Sequence, residues 1–165
     1  MESRIIGPLG LTDTVLRTGP DQAPRLAQGH AEDGAPVPPW PLFVWSAGSS
    51  LKSTARDMLA FGEANLGHRT AAGAPGSSLA QAMRLAMQPV YRPEGQDFQQ
   101  AMVWAIFPAD AGEDRGDIIA KSGNTDGFST VLVLAPAKDL AVFVGANRAK
   151  VDVQPLAIEF ARRVP

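Results

Sequence analysis

The sequence predicts an α+β fold in which an antiparallel sheet of about four strands packs against helices. Three observations carry this. Two segments in the first half of the chain and one at its C-terminus repeat apolar residues at helical spacing between recognisable caps. Residues 101 to 147 hold four strand-like runs joined by tight connections, which antiparallel pairing accommodates without crossovers. The 165 residues, 45% hydrophobic and 19% charged, suit about one ordinary globular domain.

Residues 1–50 form an irregular segment rich in Pro and Gly. PLGLTDTVL, Pro8 to Leu16, reads as a turn followed by a short extended piece. Pro36, Pro38, Pro39 and Pro41 impose polyproline-like or irregular backbone. Pro36 and Pro39 spell P-x-x-P, but no basic residue flanks them, so the segment reads as a rigid surface loop rather than a recognition motif.

Residues 51–90 form a helical segment. The first helix is expected from Ala55 to Leu66, with Thr54 as N-cap and Asp57 in the first turn. Ala55, Met58, Leu59, Gly62 and Leu66 make its apolar face, and Gly67 stops it. A second helix fits Leu79 to Gln88, opened by a capping box of Ser78 and Gln81. Its buried stripe is Leu79, Ala82, Met83, Ala86 and Met87, and Pro89 ends it.

Residues 101–165 form the sheet and a last helix. The expected strands are Ala101 to Phe107, Asp117 to Gly123, Gly127 to Ala135 and Asp139 to Asn147, with Pro136 to Asp139 as the last turn. Val131 to Leu134 and Leu140 to Val144 are nearly continuous apolar runs, the mark of a sheet covered on both faces. The closing helix is expected from Val153 to Arg163, capped by Asp152, with Pro155 in its first turn. Val153, Leu156, Phe160 and Val164 are its expected apolar face.

Several function classes lose their support at this level. A formal charge of −2 without any basic run gives nothing to hold nucleic acid. Without cysteine there is neither disulfide nor thiolate metal site. His30 and His68 are far apart with no acidic partner at ligand spacing, so no metal is expected. No apolar run reaches about eighteen residues, so no membrane-spanning helix is expected. The N-terminus lacks the charged, apolar and small-residue sections of a signal peptide. Arg115-Gly116-Asp117 reads as a solvated turn.

Two motifs carry chemistry. Ser49-Ser50-Leu51-Lys52 matches S-x-x-K, in which a lysine one helical turn after a serine activates it as a nucleophile. That geometry needs a helix through both residues. The cap signals start the helix at Ser53 or Thr54, after the lysine, so this match is a coincidence. Ser122-Gly123-Asn124 likewise matches S-x-N by accident. Lys121-Ser122-Gly123, in KSGNTDGF, is different. A lysine at a strand end can attract a substrate carboxylate or hold a proton network. The Ser122 hydroxyl can bond that carboxylate, and Gly123 lets an extended ligand approach the backbone. The N–H of Asn124 can donate to a developing oxyanion.

The chain as a whole resembles the C-terminal half of the class C β-lactamase family and its penicillin-binding and esterase relatives. The matching stretches, in order, are IIGPLGLTDTVL, AQGHAEDG with His30 where a tyrosine is common, SAGSSLKSTARDMLAFGEANL with Ser50 near a usual glycine, and KSGNTDGFSTVLVLAPAKDLAVFVGANR. The resemblance implies a fragment of the β-lactamase/transpeptidase-like fold over 1–165. It carries Lys121, Ser122 and Gly123 onto the family's third motif, Asn124 onto the backbone oxyanion donor, and Asn147 onto a position near the substrate carboxylate. It implies no cofactor, and a periplasmic or secreted protein whose signal lies outside this chain. The family's nucleophilic serine and its Y-x-N motif have no counterpart here, since Tyr91, the only tyrosine, begins Y-R-P. The chain is expected to begin just after them. It then supplies the K-S-G wall of a serine hydrolase acting on a β-lactam, peptide amide or ester, is inactive alone, and pairs with the missing N-terminal half or with a copy of itself. The alternative is a stand-alone, non-catalytic binding module that keeps the groove.

Overall fold

The computed structural model describes residues 1–39, 51–68, 77–109 and 116–165. The two-stranded sheet near the N-terminus pairs β1 (Gly29–His30) with β2 (Pro36–Val37). Helices α1 (Ala55–Leu66) and α2 (Ser78–Ala86) follow. The main sheet holds β3 (Gln99–Gln100), β4 (Ala105–Phe107), β5 (Ile118–Asn124), β6 (Ser129–Ala135) and β7 (Leu140–Ala146), antiparallel and in the order β3-β4-β5-β6-β7. Helix α3 (Val153–Arg163) closes the chain. This is the α+β fold the sequence predicts; among the described residues the main sheet holds one short strand more than expected, and the β1–β2 pair is additional.

The apolar runs are explained by helices on both faces of the sheet. On one face Ile118, Ala120, Val131, Val133 and Ala135 meet Val153, Ala157 and Ala161 of α3. On the other, Ile119, Leu132 and Leu134 pack with Trp104, Ile106 and the Met58 and Phe61 side chains of α1. A third cluster joins Ala60 and Ala64 of α1 to Met83 of α2 and to Leu9 and Leu11. Helix α1 presses so closely on β7 that a Cβ on Gly62 would lie 2.8 Å from the Ala141 Cβ.

Several expectations are corrected. The run Ala101 to Phe107 is not one strand. Ala101 N–H donates to the Trp104 carbonyl (2.8 Å), and exposed Met102 and Val103 form the tip of a hairpin between β3 and β4. An apolar turn without Gly, Pro, Asn or Asp gives no breaker signal. Helix α2 is capped one residue earlier than expected: the Ser77 Oγ, not Ser78, accepts from Ala80 N–H (3.2 Å). Ala82 of its expected stripe is exposed.

The face of α3 is also different. Val153, Ala157 and Ala161 meet the sheet, while Leu156 and Phe160 are 64% and 55% exposed. Close helix–sheet packing selects the small side chains, and a stripe chosen by bulk lands on the neighbouring flank. Asp152 makes no side-chain cap. The other end of α3 is capped instead by Lys138, whose Nζ donates to the carbonyls of Ala161 (3.1 Å), Arg162 (2.7 Å) and Val164.

Helix α1 begins as expected, with the Thr54 Oγ1 accepting from Asp57 N–H (3.2 Å). Its face differs: Ala55 and Leu59 are exposed, and the Asp57 carboxylate, 4% exposed, is buried. A buried carboxylate needs donors. Asp57 Oδ2 accepts from Asp13 N–H (2.9 Å) and Thr14 Oγ1 (2.7 Å), and Thr14 Oγ1 also bonds Ser53 Oγ (2.8 Å). Residues 13–14 are thereby tied to the start of α1. The stretch from Pro8 holds a helical turn at Gly7–Leu9, a left-handed Gly10 (φ 65°) and a single bridge between Val15 and Lys52. Among the described residues no helix is long and apolar enough to cross a membrane.

Candidate functional site

The S-x-x-K match is only partly described, since Ser49 and Ser50 lie outside the described residues. Lys52 is extended rather than helical: its N–H and carbonyl exchange bonds of 2.8 and 2.9 Å with Val15. Helix α1 starts after it, as the cap signals require. Arg115 of the Arg-Gly-Asp triplet also lies outside the described residues. Asp117 is engaged locally, its Oδ1 accepting from Ala109 N–H (3.2 Å).

Lys121, Ser122, Gly123 and Asn124 are the last four residues of β5. From Ile119 to Asn124 β5 pairs with β6, Lys121 opposite Leu132 and Asn124 opposite Ser129. On its other side β4 reaches only Ala120, which faces Ala105. Lys121 to Asn124 therefore form an open half-edge, with no strand paired there among the described residues. Thr125 N–H donates across to Phe128 O (2.9 Å). Peptide groups alternate along an extended strand, so those of Ser122 and Asn124 aim away from β6, into the open side. The Ser122 carbonyl on this side accepts from the Lys121 Nζ.

Strand alternation separates the side chains. Lys121 and Gly123 share the face of Ile119, which α1 covers; Ser122 and Asn124 share the face of Ala120, which α3 covers. Lys121, Gly123 and Asn124 are exposed, and Ser122 is half-buried. Gly123 has little room on its inner side, since a Cβ there would lie 3.2 Å from Thr130 Oγ1. That hydroxyl donates to the Gly123 carbonyl (3.2 Å).

Asn147 follows β7 at the same end of the sheet, where Ala146 pairs with Ser129 and Ser129 with Asn124. Two strand spacings separate it from Asn124, about 10 Å. Its side chain is held: Nδ2 donates to Gln28 O (3.0 Å). Its carbonyl accepts from His30 N–H (3.0 Å) and lies 3.1 Å from His30 Nδ1. His30 N–H also reaches Gly127 O (3.3 Å), and His30 O accepts from Ala149 N–H (2.9 Å). The sequence reading missed this role of His30. The available signal was the glycine beside it, because Gly29 is what allows β1 to touch the 125–128 turn. His68, at the end of α1, bonds Asp139 Oδ1. Among the described residues no three His, Asp or Glu side chains gather to hold a metal ion.

The geometry is thus a strand end that offers outward peptide groups, an exposed ammonium and a clamped asparagine, all at one rim of the sheet. Such a rim can take an extended, negatively charged ligand along the open half of β5. Comparison with known proteins gives the family and the fold. The family model described as Beta-lactamase matches residues 1–162. A β-lactamase of Lysobacter lactamgenus is 26% identical over 175 residues, covering 90% of this chain and 44% of the relative. The crystal structure of a class C β-lactamase from Rhodobacter sphaeroides superposes with a TM-score of 0.80 at 26% identity, over 98% of this chain and 52% of that one. A β-lactamase/D-alanine carboxypeptidase from Pseudomonas syringae shares the fold, with a TM-score of 0.83 at 21% identity, over 100% of this chain and 53% of that one. The chain spans about half the length of these relatives.

Proposed function

Because the chain belongs to the β-lactamase family, we propose that it forms the K-S-G wall of a serine hydrolase site whose nucleophile is supplied from outside these 165 residues. The observation that carries this reading is the open half-edge from Lys121 to Asn124. A substrate carbonyl placed beside it meets the outward N–H of Asn124, which stabilises the oxyanion as an acyl-serine forms. Lys121 supplies positive charge at the rim and Ser122 a hydroxyl, Gly123 lets the ligand lie close, and Asn147 offers its side-chain amide to a substrate carboxylate. The substrate class is a β-lactam, a peptide amide or an ester.

The same reading includes a protein partner, the N-terminal half of the fold or a second copy of this chain. What supports it is the outer edge of β7. Among the described residues this strand has one neighbour, β6, and Leu140 to Ala146 contain no charge and no proline. The ladder register turns the peptide groups of Ala141, Phe143 and Gly145 outward, and such an edge pairs readily with another strand. Exposed Leu59 on α1 and Leu156 and Phe160 on α3 add apolar surface on the two helices that cover β7.

Lys121→Ala tests the wall. In the complete protein that carries this chain it should lower kcat/KM at least about tenfold, or about 1.4 kcal/mol of transition-state stabilisation. Ser122→Thr, which keeps the hydroxyl, should be tolerated. Parental kinetics in a correctly folded Lys121→Ala protein would remove the clamp.

A further inference from the structure

We infer that His30 is the positioning residue for the carboxylate end of the proposed site, holding Asn147 in register with the end of β5. The inference rests on the reading of Asn147 as a substrate-binding residue.

His30 stands where three segments meet. Its N–H is shared between Gly127 O (3.3 Å) and Asn147 O (3.0 Å). Gly127 belongs to the turn that follows Asn124, and Asn147 follows β7. One peptide group therefore spans the two strand ends that carry the proposed oxyanion donor and the proposed carboxylate ligand. The ring adds a second tie. Nδ1 lies 3.1 Å from the Asn147 carbonyl and 3.4 Å from the Asn147 Nδ2, so the ring bonds Asn147 in either tautomer: a protonated Nδ1 donates to the carbonyl and a bare one accepts from the amide. The backbone N–H and the ring of one residue then converge on Asn147.

The preceding residue completes the clamp. Gln28 O takes one N–H of the Asn147 amide (3.0 Å), and the same nitrogen lies 3.4 Å from His30 Nδ1, which together fix the amide plane that a ligand meets. Behind His30 the brace is anchored by Ala149 N–H on His30 O (2.9 Å), by Arg148 Nε on Glu32 O (3.0 Å) and by the Lys150–Glu32 ion pair (2.6 Å). Without the ring bond, the His30 backbone still reaches Asn147, but Asn147 loses its contact with the ring and its side chain gains freedom. A ligand that uses that amide loses affinity, whereas one without a carboxylate does not.

The test compares two substrates in the complete protein that carries this chain: nitrocefin, which has a carboxylate, and p-nitrophenyl acetate, which has none. His30→Ala should raise KM for nitrocefin about fivefold with kcat nearly unchanged, and leave p-nitrophenyl acetate turnover within about twofold. His30→Asn, whose Nδ2 falls near the position of the imidazole Nδ1, should restore most of the nitrocefin KM. Asn147→Ala is the reference variant. If Asn147→Ala raises the nitrocefin KM but His30→Ala does not, the positioning role is overturned and the site reading stands. If Asn147→Ala leaves the ratio between the substrates unchanged, the reading of Asn147 fails and the inference with it. Equal losses on both substrates with His30→Ala, and no rescue by His30→Asn, would make His30 a purely structural residue.

Discussion

Gly29 and Gly127 lie backbone against backbone. A Cβ on Gly127 would sit 3.0 Å from the Gly29 Cα and 2.6 Å from Val37 Cγ2, and a Cβ on Gly29 would sit 2.8 Å from the Phe128 ring. This contact seats β1 against the turn after β5 and brings His30 to Asn147. Neither glycine has a positive φ, so space rather than backbone conformation demands them.

Gly127→Ala must therefore push β1 away from the 125–128 turn. The expected cost is about 1–3 kcal/mol, the usual range for overpacking. Urea denaturation should show a lower midpoint with an unchanged slope. A variant as stable as the parent would show that β1 has room to move.

Gly62→Ala sets two effects against each other. Alanine gains about 1 kcal/mol over glycine inside a helix. The new methyl would meet the Ala141 Cβ at 2.8 Å and Leu132 Cδ1 at 3.4 Å. Ala141 sits on a strand and has no rotamer with which to yield, so the clash should win by about 1 kcal/mol. A higher melting temperature for Gly62→Ala would mean that α1 rests on β7 with slack.

Lys138→Met removes the donor to three carbonyls at the end of α3 while keeping the length of the side chain. Hydrogen bonds from a charged group are worth about 1.5–3 kcal/mol, and a cation there also meets the negative end of the helix. Partial solvent access lowers the expectation to about 1–2 kcal/mol. Denaturation at low and high salt checks it; a loss that disappears at low salt would contradict it.

The exposed pair on α3 bears on association. At micromolar concentration the chain should sediment as a dimer or larger species, or bind a separately made N-terminal half. Changing Leu156 and Phe160 together to Glu should weaken this without altering the circular dichroism. A cooperative, well-folded monomer of the parent chain would instead support a closed module that needs no partner.

The β5–β6–β7 meander was legible because its runs are joined by short connections, Pro136 to Asp139 among them, and because continuous apolar runs mean two covered faces. The start of α1 was legible from Thr54 and its bond to Asp57. What escaped has physical reasons. Met102 and Val103 turn the chain without turn residues. Ala157 and Ala161 carry too little hydrophobicity to outweigh Leu156 and Phe160 in a periodicity reading. Asp57 reads as an exposed first-turn acid, because its partners, Asp13 and Thr14, lie more than forty residues away. Lys121, Ser122, Gly123 and Asn124 were readable as a motif, but the open side of β5 depends on where β4 stops. The contact of His30 with Asn147 joins residues 117 apart in sequence, which no local pattern announces.

The proposed wall needs an attacking serine from outside these residues. The most direct measurement is labelling with a fluorescent penicillin, followed by mass spectrometry of the peptides. The isolated 165-residue chain should form no acyl adduct, and the complete protein that carries it should be labelled on a serine outside these residues. A covalent adduct on Ser49 or Ser50 of the isolated chain would contradict the account.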